Sequence, residues 1–281
     1  MSNTLKDIKD IKIQGAINVA KAALKDLNAY GTDLKFTTRS KYLKDIDSRS
    51  SLLKKTRSTE PAMHNVLDNV LTSLKKTEDK EELKLRKRLY DFCKAELTML
   101  ISCQNLITQN AAEILPKNPK ILIHCHSNTV IDIIKNLDNP KVISTETRPR
   151  MQGRLSAKDL TDAGIDTTEI VDDAIADVID SVDFVLVGSD AITKDGIINK
   201  IGTRTIAEIA SLHKKPFYVA AGTIKTIKKI PIEIRSSDEI WDKKPKSLKI
   251  KNFAFDLTPW KYITGGIITE KGLKKKQDFK L

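Results

Sequence analysis

The chain has 281 residues, 40% of them apolar and only 5% aromatic, with a formal net charge of +12. That length and apolar share support a sizeable aliphatic core and two domains, and they exclude a disordered or fibrous chain. The excess of 49 basic over 37 acidic residues suits a polyanionic partner. Yet the signs interleave, as in KKTEDKEELKLRKR, and stacking aromatics among the basic residues are scarce. Nucleic-acid binding is therefore not expected, and a small phosphorylated ligand is preferred.

Cys93, Cys103 and Cys125 are odd in number and too scattered for a zinc site. The opening MSNTLKDIKD has no apolar signal core. No apolar run approaches the roughly 20 residues of a membrane span. A cytoplasmic protein with free thiols, bound to no membrane, is the expectation.

In chain order, Ile13, Ile17, Ala20, Leu24 and Leu27 recur at helical spacing, and Tyr30-Gly31 is a plausible helix stop. The polar, basic stretch 33–58 predicts shorter helices and a loop. Val66, Val70 and Leu74 open another apolar stripe. The stretch 81–108 predicts a long helix buried through Leu83, Leu89, Phe92, Leu97, Leu100 and Ile101. Leu115-Pro116-Lys117-Asn118-Pro119 then breaks the helix and marks a domain boundary.

Beyond it, strands alternate with helices. Strands are predicted over 120–124, 142–145, 167–171, 184–187 and 216–221. Helices are predicted over 129–137, 157–163 (capped by Ser156), 172–179 and from Thr203, whose buried face is Ile206, Ile209 and Ala210. Lys194-Asp195-Gly196 reads as a tight turn, and Ile267 to Gly272 as a last strand and turn. Repeated βαβ units imply a parallel sheet with right-handed crossovers and a ligand crevice at the strands' carboxyl ends. The expected fold is α/β, with an amino-terminal helical domain over 1–115 and a Rossmann-like domain over 116–281.

Several polar groups fall at that edge of the sheet. His124-Cys125-His126-Ser127 ends one strand and opens a helix, where backbone N–H groups and the helix dipole favour an anion. There Cys125 either has its pKa lowered from about 8.5 and serves as an acid/base, or is a buried small apolar residue. Metal binding by His124 and His126 is disfavoured, because alternate strand residues face opposite ways. Phe184-Val185-Leu186-Val187 is a strand buried on both faces that ends at Gly188-Ser189-Asp190, so an acid sits at its carboxyl end. Asn199 and Lys200 lead into the following helix. The loop TETRPRMQG brings Arg148, Arg150 and Gln152, and arginine suits bidentate phosphate contact. Asp190 and Lys200 also admit the plain readings of turn former and solvated charge. Gly15, alone in a helical pattern at a cost of about 1 kcal/mol against Ala, hints at close backbone approach.

HCHSNTV, TETRPRMQGR, VGSDAITKDGIINKIGT and FDLTP together resemble the translation initiation factor two-B α/β/δ superfamily. The resemblance covers 120–271, with fainter echoes in KIQGAINVA and LKKTRSTEPAMHNVL. That superfamily also contains methylthioribose-1-phosphate isomerase and the archaeal ribose-1,5-bisphosphate isomerase. The resemblance implies an aldose–ketose isomerase of a 1-phosphorylated pentose, converting ribose 1,5-bisphosphate to ribulose 1,5-bisphosphate. HCHS, GIINKIGT and FDLTP favour that branch. The isomerases carry a catalytic Cys and Asp, matched here by Cys125 and Asp190, and burial would keep Asp190 protonated. Gly15, Arg57, Ser127, Gln152, Asn199, Lys200 and Lys225 carry over as substrate contacts. No metal or redox cofactor is implied. A homodimer or homohexamer and a nucleotide effector are. The alternatives are a non-catalytic regulatory subunit of the translation-factor type, which usually lacks that cysteine, and a methylthioribose-1-phosphate isomerase. Three departures bear on the substrate: Arg57-Ser58-Thr59 replaces an arginine-proline-threonine run, Gln14 stands where several isomerases have Arg, and Gly222 replaces an acid.

Overall fold

The structure, a computed structural model, describes residues 4–279. The first three residues of the stretch read for a signal core lie outside them. The chain divides into two compact units, Met1–Cys103 and Gln104–Leu281. Among the described residues, no helix is long and apolar enough to cross a membrane.

The amino-terminal unit is helical: α1 (Thr4–Lys9), α2 (Ala16–Asp33), α3 (Arg39–Thr56), α4 (Pro61–Lys76) and the first part of α5 (Glu82–Ile114). α2 packs on α3 and α4 through Val19, Ala20, Ala23, Leu24 and Leu27, all fully buried. Arg49 of α3 grips Asp26 of α2 with two bonds, Nε to Oδ1 at 2.7 Å and Nη2 to Oδ2 at 2.9 Å. The helix does not stop at Gly31. It runs on to Asp33, and glycine stands at 31 because Leu89, Ile46 and Tyr42 press so close that a Cβ there would fall 2.1 Å from the Leu89 side chain. The stretch 33–58 holds a loop over 34–38 and then one long helix instead of shorter ones, capped by Thr38, which accepts from the Lys41 N–H at 3.2 Å. α5 buries Leu85, Leu89, Cys93 and Leu100, whereas Leu83 and Ile101 are 80% and 52% exposed.

The division between units falls inside α5, not at Leu115-Pro116. Packing explains this: Ile107, Ala111 and Leu115 belong to a core cluster of the second unit, and Asn110 Nδ2 donates to the Thr269 carbonyl at 2.8 Å.

The second unit is built on a seven-stranded sheet. Its chain order is β1 (Lys120–His124), α6 (Asn128–Lys135), β2 (Lys141–Thr145), α7 (Gln152–Thr161), β3 (Asp166–Ile170), α8 (Ile175–Val178) and β4 (Phe184–Gly188). There follow β5 (Ala191–Thr193), β6 (Gly196–Lys200), α9 (Thr203–Leu212), β7 (Phe217–Ala220), β8 (Ile234–Arg235), β9 (Asn252–Phe253), β10 (Phe255–Pro259), β11 (Gly266–Thr269) and β12 (Gly272–Lys274). The main sheet has the order β12-β11-β7-β4-β1-β2-β3, and only β12 runs antiparallel.

Strand alternation fills two cores at once. Val185 and Val187 point into the cluster with α8 and α9. Phe184 and Leu186 point into the cluster with α6, α7 and the end of α5. Ile121, Leu122 and Ile123 alternate in the same way. Helices on both faces make this a doubly wound sheet, and the order reverses between β1 and β4.

Three features differ from the sequence-based expectation. β5, β6 and β10 form a separate antiparallel sheet. α7 starts at Gln152, five residues early, so Ser156 is not its cap but is buried within it. Residues 172–181 form only broken helical turns around α8.

Gly153 marks how tightly the loop after β2 is folded. A Cβ there would fall 1.6 Å from the Thr145 carbonyl oxygen, a backbone group that cannot step aside. We predict that Gly153→Ala destabilises the protein by about 1–3 kcal/mol, read as a lower urea midpoint. An unchanged midpoint would mean the loop is looser than described.

Candidate active site

The switch point between β1 and β4 is where a parallel sheet leaves room for a ligand. Cys125 follows β1 directly, and His124 is in register with Val187, so the cysteine stands beside Gly188 at the end of β4. Asp190 comes two residues later, its N–H bonded to the Ile198 carbonyl at 2.8 Å.

Cys125 is held in the left-handed region, φ 67°, as are Thr147 at 59° and Met151 at 53° on the neighbouring loop. Such backbone strain clusters at functional sites. The Cys125 N–H donates to Thr147 Oγ1 at 2.9 Å, and its carbonyl accepts from Ser156 Oγ at 3.0 Å. The loop that carries Thr147 is fastened by Asp172, whose carboxylate accepts the N–H groups of Thr147 and Arg148 at 2.8 and 2.7 Å. The sequence gives Asp172, Ser156 and Thr147 no role in the site, Ser156 reading only as a helix cap, since short polar residues near strand ends look like ordinary turn formers and caps.

His124 is fully walled in. Nε2 lies 2.8 Å from the Ile201 carbonyl, which can only accept, so that nitrogen carries the proton and Nδ1 accepts from Thr145 Oγ1 at 2.6 Å. Burial lowers its pKa. His124 is thus a neutral strut between β1 and the turn after β6. His126 faces other partners, Ser156 and Asn128, each at 3.1 Å.

The thiol corrects an expectation. Burial pushes Cys125 up to about 11, against the pull of Lys200 and of the His126 N–H. Cys125 lies three residues before the first residue of the short α6, beyond the turn over which a helix dipole acts. Desolvation wins.

The other expected residues fall in two groups. Ser127 caps α6, its Oγ accepting from the Val130 N–H. It sits so near β4 that a Cβ on Gly188 would come within 2.8 Å of that oxygen. Asn199 and Lys200, 6% and 4% exposed, end β6; Asn199 Nδ2 donates to Thr203 Oγ1 at 3.0 Å. Lys200 Nζ stands 4.9 Å from the centre of the Phe255 ring, and burial lowers its pKa while the Cys125 and Asp190 charges oppose that. Lys225 Nζ donates to the Ser189 carbonyl at 2.6 Å. Gln152 is the first residue of α7. Cys125, Ser127, Gln152, Asp190, Asn199, Lys200 and Lys225 thus all sit at or just beyond the carboxyl ends of β1, β2, β4, β6 and β7.

Gly15 and Arg57 belong to the amino-terminal unit. Gly15 is not inside a helix but caps α2 with φ 84°, a conformation glycine adopts without strain. Arg57 is 8% exposed and paired to Glu60 at 2.6 Å.

Two carboxylates support the site from behind. Asp256, in FDLTP, accepts the N–H groups of Gly202 and Arg204 at 2.8 and 3.1 Å and fixes the turn from Lys200 into α9, although burial pushes its carboxyl up to about 6. Glu270 accepts the Thr223 N–H at 3.0 Å. Its Oε2 lies 3.7 Å from where a Gly222 Cβ would stand, so a carboxylate reaches the position where the sequence lacks its acid.

A thiol and a carboxyl flanking the switch point of a doubly wound sheet define a class of site suited to proton transfer on a small anion. The chain belongs to the initiation factor 2 subunit family, whose profile matches residues 12–276. It is 38% identical to a ribose 1,5-bisphosphate isomerase of Methanocaldococcus jannaschii, across 97% of this chain and 91% of that one. It is 30% identical to a methylthioribose-1-phosphate isomerase of Pelotomaculum thermopropionicum, across 95% of this chain and 81% of that one. Among solved structures, a 5-methylthioribose 1-phosphate isomerase of Pyrococcus horikoshii superposes with a TM-score of 0.82 at 27% identity, covering 97% of this chain and 83% of that one. A translation initiation factor eIF-2B of the same organism superposes with a TM-score of 0.81, also at 27% identity, covering 96% of this chain and 94% of that one.

The state of the thiol is directly measurable. Iodoacetamide reacts with thiolate only, so alkylation of Cys125, followed by peptide mass spectrometry, should rise about tenfold per pH unit between about pH 7 and pH 10. Lys200→Met removes a neighbouring cation, raises the thiol pKa further and should slow the reaction at any fixed pH. A rate already flat at neutral pH would show a low-pKa thiol instead.

Proposed function

We propose that the protein is an aldose–ketose isomerase of a 1-phosphorylated pentose, and that its substrate is ribose 1,5-bisphosphate, converted to ribulose 1,5-bisphosphate. The observation that carries this reading is the 38% identity, over nearly the whole length of both chains, to a protein named for that reaction. The fold alone does not choose, because a translation initiation factor shares it. The pairing of Cys125 with Asp190 favours chemistry, since a binding module has no need of a thiol at that edge.

The reaction follows from the substrate. A phosphate on C1 blocks spontaneous ring opening, so the enzyme opens the ring itself. Asp190 acts as the general acid that gives a proton to the ring oxygen as the C1–O4 bond breaks. The Cys125 thiolate takes the proton from C2, leaving a C1–C2 enol, and the resulting thiol returns that proton to C1. The C2 hydroxyl proton passes to the Asp190 carboxylate as the ketone forms, so both groups end as they began. Lys200 and the N–H of His126 stabilise the thiolate. Arg57, Lys200 and Lys225 hold phosphates, with Gly15, Ser127, Gln152 and Asn199 completing the contacts. A homodimer or homohexamer and activation by a nucleotide belong to the same reading.

Purified protein incubated with ribose 1,5-bisphosphate or the methylthio analogue, with and without AMP, tests it. Wild type should convert the bisphosphate, and Cys125→Ser and Asp190→Asn should each lose about 10²–10⁴-fold in rate. Turnover of neither sugar, or variants as active as wild type, would leave the regulatory-subunit reading.

A further inference from the structure

The segment 226–242 gave no functional signal in the sequence, yet it brings a second cation to the thiol. Arg235, in β8, has a side chain only 8% exposed. Its guanidinium carbon lies 5.3 Å from the centre of the Phe255 ring, the same ring that Lys200 Nζ approaches to 4.9 Å. The backbone enforces this arrangement. β8 pairs with β9, setting Arg235 opposite Asn252. The Ala254 N–H donates to the Glu233 carbonyl at 3.1 Å, and the Ile201 N–H to the Ala254 carbonyl at 3.1 Å. Phe255 is in register with Lys200. Four strands thus lock two cations onto one aromatic side chain.

Two cations withdrawn from water around one ring are costly unless anions answer them. The protein's answer is partial. Glu233 accepts from the Arg235 Nε, at 2.7 Å. Glu239 spends its carboxylate on Asn252 at 3.0 Å and Arg150 at 3.5 Å. Among the described residues, neither terminal nitrogen of Arg235 has a hydrogen-bond partner in the protein. Those nitrogens form the fork that suits two oxygens of one phosphate. The charges of both Lys200 and Arg235 reach the Cys125 sulfur, so an anion held by them lies beside the thiol.

We propose that Arg235 and Lys200 form one seat for a substrate phosphate, with Arg235 as its bidentate ligand and Phe255 as its floor. This rests on the isomerase reading for the identity of the ligand, and its test does not depend on turnover. Binding of ribulose 1,5-bisphosphate would be measured by calorimetry on wild type, Arg235→Gln, Arg235→Met and Arg235→Lys, each checked for an unchanged melting temperature. Loss of the fork should weaken binding about 10- to 100-fold in the Gln and Met variants. Arg235→Lys, which keeps the charge but not the fork, should fall between. In turnover, KM should rise far more than kcat falls, whereas a purely structural role would lower kcat and the melting temperature together. If wild type binds the bisphosphate but never turns it over, the isomerase reading fails and the seat stands. If wild type does not bind it, or all three variants bind it as wild type does, the seat is wrong.

Discussion

The site depends on charge held out of water. Where the strand order reverses between β1 and β4, the fold sets the half-buried Cys125 and the buried ammonium of Lys200 within reach of each other's charge. Burial disfavours the charged form of each and lifts the thiol to about 11. Each charge, once formed, favours the other. A thiol that ionises only with help from a neighbouring cation is a weak nucleophile at rest and a strong base when the proton it must take is presented. That combination suits carbon-acid chemistry better than the freely ionised thiol a helix start would give.

Such a pairing is useful only if its parts cannot drift. The supporting bonds are mostly to backbone: Ser156 to the Cys125 carbonyl, His124 to the Ile201 carbonyl, Asp172 to two N–H groups of the arginine loop, and Asp256 to two N–H groups at the start of α9. Each ties one loop of the crevice to another. The second sheet serves the same end. By pairing β6 with β10, it carries Asn199 and Lys200 in on a strand rather than on a loop, and the side chains inherit the strand's rigidity.

The sequence made much of this architecture legible. Strands buried on both faces, such as Phe184–Val187, announce a parallel sheet, and the order of strands and helices then fixes which ends share an edge. Cys125 and Asp190 could be placed at that edge on spacing alone. What it hid were effects of three-dimensional packing. Gly31 reads as a helix stop but answers to the Leu89 side chain pressed against it. Ser156 reads as a cap but is drawn inside α7 by the Cys125 carbonyl. The sequence left Cys125 open between a lowered pKa and a desolvated thiol, because the helix dipole can be guessed from sequence, whereas the degree of desolvation cannot. Arg235 lies in a short alternating run, IEIR, and nothing local says that it shares a ring with Lys200. The domain boundary shifted because Ile107 and Ala111 join a core that only the folded sheet creates.

The central claim is that the Cys125 sulfur lies inside the cleft where the pentose bisphosphate binds. Its most direct test is ligand protection: alkylation rates of Cys125 and Cys103, followed together at one alkaline pH while ribulose 1,5-bisphosphate is titrated in. The account predicts that Cys125 slows in proportion to occupancy while the half-buried Cys103 keeps its rate. An unchanged rate at Cys125 with the ligand saturating would contradict it.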